Sequence, residues 1–279
     1  MTAIGYERLS NDLASNDQLD LQGNAENLDI IAKSLPLSRA SRILDVGCGS
    51  GKLTNRIAAL VGPRCEVIGI DKSSQHIEFA RRQARSLGLT NIRYIFADIF
   101  DLSREFQESF DVVYEKYLMM YLTPQDLGGR FVTTLQQLLR PSGTLALIEA
   151  DINFGQDRYP PPSADLQLVL EEVVRYYRKN GLIEWRSGAQ LFHYLQLAGC
   201  TDVNITLLDG RIIAGGMPRE LAIHDGLGIE ELILPCVEKI GLNQSANMLA
   251  QEWREYLSRR DTFIYTPVFM GTGRRLTGH

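Results

Sequence analysis

The stretch that decides the fold is RILDVGCGSG, residues 42–51. Its first half, residues 42–46, has the apolar character of a buried strand, and the glycines after it interrupt the strand before a helix that runs to about Val61. A buried strand that passes through a glycine-rich turn into a helix brings the backbone close to a ligand at the carboxyl edge of a sheet. A tight strand–helix turn without a ligand has the same pattern, so the stretch needs support from elsewhere in the chain.

The order of predicted elements indicates an α/β fold. From residue 42 to residue 147, apolar strand-like runs alternate with amphipathic helical patterns, which is typical of a parallel sheet with crossover helices. The further strands predicted in this half are residues 66–70, 92–97, 110–114 and 144–148. The second half is less regular, and its predicted elements are helices at 164–181, 191–198, 229–240 and 249–257 with strands at 202–208 and 262–270.

Two acidic residues end the predicted strands that follow the glycine turn. Asp71 ends the second strand, where a carboxylate suits the two hydroxyls of a ribose. Asp98 ends the third strand and is placed to reach an adenine amino group. Either residue alone could simply cap the helix that follows it. Both acids together with the glycine turn favour a site for a nucleoside-containing ligand.

Five segments resemble the successive motifs of class I S-adenosylmethionine-dependent methyltransferases. In chain order they read ILDVGCGSG (43–51), VIGIDKS (67–73), ADIFD (97–101), FDVVYEKYLMMYL (110–122) and LLRPSGTLALIE (138–149). The resemblance implies a Rossmann-like fold with a seven-stranded, mostly parallel sheet whose last strand is antiparallel, here residues 262–270. It also implies helical insertions that cap the sheet.

The resemblance implies that S-adenosyl-L-methionine is the cofactor. By position in the motifs, Asp45, Gly47 and Gly49 would line the methionine part of the cofactor. Glu115, expected just after the fourth strand, would approach the sulfonium end. The cofactor carries a positive charge at sulfur, so acidic residues nearby make electrostatic sense.

The adenosine part of the cofactor would bind to residues that follow the next two strands. Asp71 would bind the ribose hydroxyls, with Lys72 beside it. Asp98 and the backbone of Ile99 would hold the adenine ring.

Two other readings of the motifs are disfavoured. A dinucleotide oxidoreductase expects G-x-G-x-x-G, whereas the third glycine here, Gly51, falls one position early. Enzymes of this fold that methylate nucleic-acid amino groups carry a D/N-P-P-Y/F box after the fourth strand, where this chain has Tyr114-Glu115-Lys116-Tyr117. The net charge of −5 also lacks the basic field of a phosphate-backbone binder. We therefore predict a small-molecule acceptor and no nucleic-acid partner.

The catalytic groups are not assigned by the sequence. The fourth-strand motif lacks the carboxylate cluster of metal-dependent relatives and the cysteines have no C-x-x-C spacing, so no metal is predicted. Glu115 resembles one of the two glutamates of protein arginine methyltransferases, but the second is missing from its expected place. The residues considered as a general base are His193, His224, Glu115 and Tyr121.

We expect a single methyltransferase domain over residues 1–279. Residues 1–41 form its helical or lid segment, with a polar stretch at 6–22, and residues 42–150 form the cofactor-binding core. Residues 151–279 supply the remaining strands and two helical cap insertions, 155–186 and 218–260, which cover an acceptor pocket or form a homodimer interface. The N-terminus lacks a signal-type apolar core and no run is long enough to span a bilayer, so a cytoplasmic protein without a membrane partner is predicted.

Two functions remain compatible with these residues. The first is an S-adenosylmethionine-dependent methyltransferase that transfers a methyl group to a small molecule. The second is a catalytically silent S-adenosylmethionine-binding protein with a regulatory or scaffold role. The cofactor motifs support binding in both cases and do not separate activity from binding.

Overall fold

A computed structural model of the protein describes residues 25–102, 106–152, 158–217, 237 and 246–276. The predicted lid at 6–22 and the helix expected over 229–240 lie outside this part of the chain, apart from Val237, as does most of the cap insertion 218–260. Those expectations stay predictions. Where helices are described, none has the length and apolar character required to cross a membrane.

The strands form one mixed sheet. Their bounds are β1 Arg42–Val46, β2 Glu66–Asp71, β3 Ile92–Phe96, β4 Phe110–Lys116, β5 Leu139–Ala150, β6 Arg158–Tyr159, β7 Thr201–Ala214 and β8 Phe263–Arg274. The order across the sheet is β3-β2-β1-β4-β5-β8-β6, and β7 pairs with β8. Strands β1 to β5 pair in parallel, whereas β8 is antiparallel to β5, β6 and β7. The Rossmann-like α/β class with an antiparallel last strand is confirmed.

Helices flank the sheet on both faces. Their bounds are α1 Ala25–Ser34, α2 Lys52–Val61, α3 Ser74–Ser86, α4 Met119–Leu122, α5 Gly128–Leu138, α6 Ala164–Lys179, α7 Leu191–Leu197 and α8 Ala246–Ser258. Short 3-10 turns lie at Ile99–Asp101, Thr123–Gln125 and Gly188–Gln190. Serine side chains begin two of the long helices: Ser73 accepts the His76 N–H at 3.3 Å and Ser163 accepts the Leu166 N–H at 3.2 Å.

Three apolar clusters account for most of the buried side chains. One covers the sheet face on which α5 and α7 pack, and a second covers the opposite face under α1 and α2. The third joins α6 and α8 to Ile213 and Ile264 near the ends of β7 and β8. We call α6, α8 and the strand ends they cover the cap. It has its own buried core, separate from the two that sandwich the sheet.

The sheet differs from the sequence expectation in three strands. The additional two-residue strand β6, not predicted, pairs with the start of β8 and makes the sheet eight-stranded. Residues 139–143, which precede the predicted strand 144–148, belong to a longer β5, because the Ser142 N–H donates to the Arg275 carbonyl and the Arg275 N–H donates to the Gly143 carbonyl. A register shift after Leu208 lets β7 continue to Ala214. Pairing with the long strand β8 extends β5 and β7 beyond the bounds that the local sequence pattern predicts.

Candidate cofactor and acceptor site

The glycine turn between β1 and α2 is tied to the neighbouring strand. The N–H groups of Gly47 and Cys48 both donate to the Ile70 carbonyl, at 2.8 and 2.9 Å. Gly47 has φ +74°, and a Cβ added to it would lie 2.9 Å from the Leu118 side chain. A side chain at this position would therefore meet both backbone strain and a packed neighbour, and glycine lets Leu118 pack directly against the turn.

Asp71 connects the glycine turn to the start of the next helix. Its Oδ2 accepts the Gly49 N–H at 2.9 Å and its Oδ1 accepts the Ser73 N–H at 2.8 Å. The His76 Nδ1 lies 3.5 Å from the same Oδ1. These bonds hold the carboxylate in one orientation at the carboxyl end of β2, and each oxygen retains a lone pair for a further donor.

Asp45 faces inward at the end of β1. Its Oδ2 accepts the Thr54 hydroxyl at 2.6 Å and the Tyr114 hydroxyl at 2.7 Å. Burial raises the pKa of this carboxyl to about 6, against the effect of the two hydroxyl donors. Asp45 thus ties β1 to α2 and β4, and its predicted contact with the methionine part of a cofactor stays a prediction.

Asp98, Ile99 and Lys72 lie together beyond the ends of β2 and β3. Asp98 is exposed, and its Oδ1 accepts the Phe100 N–H at 2.9 Å, so it caps the turn that follows. Ile99 is buried in the apolar cluster on the α5 face. Burial lowers the pKa of Lys72, and the charge of Asp98 opposes this effect. Asp98 therefore does cap the segment that follows it, the alternative role considered from the sequence, and it remains accessible to solvent.

The parallel register brings these positions to one edge of the sheet. Val46 pairs with Ile70 on one side and with Glu115 on the other, and Asp71 pairs with Phe96. The glycine turn, Asp71, Lys72 and Asp98 therefore follow strands that are direct neighbours in the order β3-β2-β1-β4. We call this edge the carboxyl edge. These residues lie together, as the sequence pattern predicts, and their roles toward a cofactor are proposals.

A buried pair of glutamates lies at the same edge, and one of the two, Glu149, is not among the site residues predicted from the sequence. Glu115 belongs to β4 itself rather than to the segment after it, and Glu149 lies near the end of the adjacent β5. Both are fully buried, and their carboxyl groups contact each other. A second glutamate thus does stand beside Glu115. The parallel pairing of Glu115 with Leu147 was the signal, because residues 147 and 149 share a face of the sheet.

The carboxyl pair, Glu115 and Glu149, receives backbone donors from the next segment. Glu115 accepts the Leu118 N–H at 2.9 Å on Oε2 and the Ile148 N–H at 3.2 Å on Oε1. Glu149 accepts the Met119 N–H at 2.7 Å on Oε1. Burial raises the pKa of Glu115 to about 7, and burial together with Glu115 raises the pKa of Glu149 well above its ordinary range.

Lys116 and Tyr117 stand next to the carboxyl pair. The Lys116 Nζ lies 3.7 Å from the centroid of the Tyr117 ring, and Tyr117 has a left-handed backbone with φ +59°. Burial lowers the pKa of Lys116 to about 8, while Glu149, Asp45 and Glu115 act in the opposite direction. The ends of β1, β4 and β5 therefore concentrate one amine and three carboxyl groups in a small buried volume.

The cap joins the sheet beside this charged group. The Glu184 N–H donates to the Met120 carbonyl at 2.7 Å, and the Ile152 N–H donates to the Trp185 carbonyl at 2.8 Å. The buried Glu184 side chain pairs with Arg178 at 3.0 Å. The loop that leaves α6 is thus fixed to both α4 and the end of β5.

The residues considered as a general base are dispersed. Tyr121 is partly buried against the cap core and close to the carboxyl pair. Burial, together with the charge of Glu149, raises the pKa of Tyr121 to about 12. His193 is exposed on α7, which packs on β7 and β8, and His224 lies outside the described residues. Over the described ranges, no group of three or more His, Cys, Asp or Glu side chains has the geometry to hold a metal ion.

Comparison with known proteins places this architecture in a family. The sequence model of the family described as a methyltransferase domain matches residues 37–196, more than half of the chain. A malonyl-[acyl-carrier protein] O-methyltransferase of Halalkalibacterium halodurans is 27% identical over 224 residues, which cover 77% of this chain and 72% of that protein. A ubiquinone biosynthesis O-methyltransferase of Agrobacterium fabrum is 33% identical over 105 residues, 37% of this chain and only 38% of that protein.

Solved structures show the same fold. Phosphoethanolamine N-methyltransferase 2 of Haemonchus contortus, in complex with phosphomonomethylethanolamine and S-adenosylhomocysteine, aligns with a TM-score of 0.62 at 16% identity over 99% of this chain and 61% of that one. The YcgJ protein of Bacillus subtilis aligns with a TM-score of 0.54 at 15% identity over 91% of this chain and all of that one. With the family match over residues 37–196, the chain belongs to the class I S-adenosylmethionine-dependent methyltransferases.

Proposed function

We propose that this protein transfers a methyl group from S-adenosylmethionine to a small-molecule acceptor. The observation that carries the proposal is the carboxyl edge, where the glycine turn, Asp71 and Asp98 follow neighbouring parallel strands. Family membership supports the reaction class. The names of the malonyl-[acyl-carrier protein] and ubiquinone-biosynthesis relatives, both O-methyltransferases, support transfer to an acceptor other than nucleic acid.

The residues at the carboxyl edge fit the adenosine part of the cofactor. Asp71 presents a carboxylate whose two oxygens are already oriented by the Gly49 and Ser73 N–H groups, as two vicinal hydroxyl donors require. Asp98 is exposed one strand away and can accept from an amino group. Gly47 and Gly49 both have positive φ, and without side chains they let the backbone of the turn approach a ligand closely. In this proposal Lys72 and Ile99 complete the adenosine side.

The chain contributes alignment and electrostatics to the reaction. When bound, S-adenosylmethionine supplies a methyl group on a positively charged sulfur, which a nucleophilic acceptor atom can take up directly. Asp45 and the carboxyl pair place negative charge at the ends of β1, β4 and β5, which favours a cation at that edge. Most of the rate enhancement would come from holding the acceptor in line, because positioning alone is worth about 7–11 kcal/mol in favourable cases.

The acceptor would bind between the carboxyl edge and the cap. Tyr121 and Trp185 both pack against the cap core, and Tyr117 lies at the end of β4. Aromatic surfaces at this junction suit an acceptor with an apolar body, and the cap would keep water away from the donor.

The first prediction tests the cofactor site. Asp71→Ala removes a carboxylate that would make charge-assisted bonds worth about 1.5–3 kcal/mol, so S-adenosylmethionine affinity in calorimetry should fall at least about tenfold. Asp111→Asn is the matched control, because Asp111 accepts the Ser41 and Arg42 N–H groups at the opposite end of the sheet. It should leave the affinity unchanged. Equal affinity of Asp71→Ala and the unmodified protein would refute the site.

A second measurement separates the enzyme from a silent binder. The protein is incubated with S-adenosylmethionine and with pools of carboxylic acids, phenols and amines, and release of S-adenosylhomocysteine is measured. Release that depends on one pool and on Asp71 supports the proposal. Tight cofactor binding without release from any pool would favour the regulatory or scaffold role instead.

A further inference from the structure

The carboxyl pair is asymmetric in its hydrogen bonds. Both oxygens of Glu115 accept backbone N–H groups, from Leu118 and Ile148. Glu149 accepts a backbone donor, from Met119, on Oε1 alone. Its Oε2 is buried and makes no hydrogen bond within the described part of the chain, and the nearby Met120 N–H contributes least among the groups that act on the Glu149 pKa. The two carboxyl groups share one environment but have different numbers of donors.

This asymmetry decides where a proton resides. Two carboxylates in contact and out of water cannot both be ionised, so the pair must hold at least one proton. A proton on either oxygen of Glu115 would compete with the backbone N–H group that the oxygen already accepts. The Oε2 atom of Glu149 accepts no such group, so a proton there meets no competition. Glu149, which has one oxygen without a backbone hydrogen bond, is therefore the better site for the shared proton, and Glu115 is the carboxylate that accepts from it.

The pair determines the position of the segment from Tyr117 to Leu122. It receives the N–H groups of Leu118 and Met119, the first residues after the left-handed Tyr117. The Leu118 side chain occupies the space beside Gly47. The Met120 carbonyl accepts the Glu184 N–H and so fixes the loop that leaves α6. One hydrogen-bonded unit thus contacts the glycine turn, the end of β5 and the cap.

We propose that Glu149, in its protonated form, is a positioning residue of the methyltransferase. With Glu115 it holds the Tyr117–Leu122 segment against the glycine turn, and loss of the shared proton releases that segment. The activity readout rests on the proposed function, whereas the stability and spectroscopic readouts do not.

The charged groups around the pair set the direction of the pH effect. The positive charge of Lys116 on β4 favours ionisation of the pair. Asp45 on β1 stabilises the charged form of that lysine, and Tyr117 and Tyr121 lie close to Glu149. The folded-state pKa of both glutamates is raised above the ordinary value of 4.5. The folded state therefore binds more protons than the unfolded state, and the stability contributed by the pair is complete below pH 4.5 and is lost as pH rises through the folded pKa values.

The experiment compares Glu149→Gln with Glu115→Gln. In Glu149→Gln the amide N–H replaces the proton and the amide oxygen still accepts from Met119, so Tm and cofactor affinity should be retained. In Glu115→Gln the amide N–H₂ opposes a backbone N–H, so Tm should fall by at least about 5 °C and turnover at least about tenfold. Glu149→Ala should lower turnover similarly while the cofactor Kd changes less than about threefold, because Asp71 is untouched.

Two further readouts distinguish a positioning role from simple packing. The alkaline decline in Tm and in turnover should flatten in Glu149→Gln, and the infrared carbonyl band of a buried protonated carboxyl should be present in the unmodified protein and absent from Glu149→Gln. The proposal is wrong if Glu149→Gln is as damaging as Glu149→Ala, if Glu115→Gln is the tolerated variant, or if the infrared band survives in Glu149→Gln. If no acceptor yields product, Tm and infrared still decide the proposal, and only the proposed function fails.

Discussion

The carboxyl edge and the cap are built in different ways. At the edge, Gly47, Asp71 and Asp98 each lie at or within two residues of a strand end, and the bonds that fix them are short-range or to the next strand. The cap core joins α6 to α8, Ile213 and Ile264, all of which are distant from α6 in sequence. The family match ends at residue 196 and so contains the edge but not α8. The match therefore covers the proposed donor site in full, whereas the proposed acceptor site also depends on α8, which lies outside it.

The largest expected effect tests whether the cap unfolds separately from the sheet. Trp253 on α8 is buried, stacks on Tyr256 with ring centroids 5.8 Å apart, and has the Arg158 guanidinium 4.5 Å from its ring. Trp253→Ala should lower the free energy of unfolding of the cap by about 3–5 kcal/mol. This loss should be measured as reduced hydrogen-exchange protection in α6 and α8. The cofactor affinity should change less than about threefold.

Leu135→Ala is the matched control for the cap. Leu135 is fully buried on α5 in the core of the sheet, so its truncation should cost about 2–5 kcal/mol and weaken protection of β1 to β5. Equal loss of protection in the sheet for Trp253→Ala and Leu135→Ala would show that cap and sheet form one cooperative unit, contrary to the comparison.

The same contrast explains what the sequence could predict. The first four strands, the glycine turn, Asp71 and Asp98 follow from local pattern, because a strand, its turn and the helix after it are contiguous. Strand β6 and the extension of β7 depend on pairing with the distant β8, for which no local signal exists. No local sequence pattern distinguishes Glu149 from other residues at strand ends. Its contact with Glu115 results from the register between β4 and β5.

The next effect in size tests how strongly the turn at the carboxyl edge requires glycine. Gly51 has φ +76°, and a Cβ there would lie 2.7 Å from the Ala80 Cβ and collide with the Tyr94 hydroxyl. Gly51→Ala should lower the free energy of unfolding by about 3 kcal/mol, through backbone strain and overpacking together. Denaturant titration measures this.

Gly62, at the other end of α2, supplies the control. It has φ +70°, but an added Cβ would meet no atom within 4 Å. Gly62→Ala should therefore lower the free energy of unfolding by only about 1 kcal/mol, because it adds backbone strain without a steric clash. Similar losses for Gly51→Ala and Gly62→Ala would mean that crowding at the glycine turn is relieved by small shifts.

The smallest effect contrasts the two ends of the sheet in their response to pH. Burial acts to raise the pKa of Asp111, but the Ser41 and Arg42 donors and the charge of Arg140 outweigh it and hold the pKa below its ordinary value of 3.8. Its stabilisation is therefore present above pH 3.8 and lost as pH falls through the folded pKa. Asp111→Asn should flatten the acid side of a Tm-against-pH curve and leave the alkaline side, which the carboxyl pair governs, unchanged. A flattened alkaline side would contradict this division.

The place of β8 has a consequence for synthesis on the ribosome. Strands β1 to β5 can pair as they emerge, since each parallel neighbour precedes β8 in the chain. Among the described strands β7 pairs only with β8, which is translated after it and inserts between β5 and β7. Until residues 263–274 have left the exit tunnel, the nascent chain presents an open β5 edge together with the unpaired strands β6 and β7, all of them templates for wrong pairing. We expect chaperone binding to nascent chains to peak in that interval and to end when β8 is inserted.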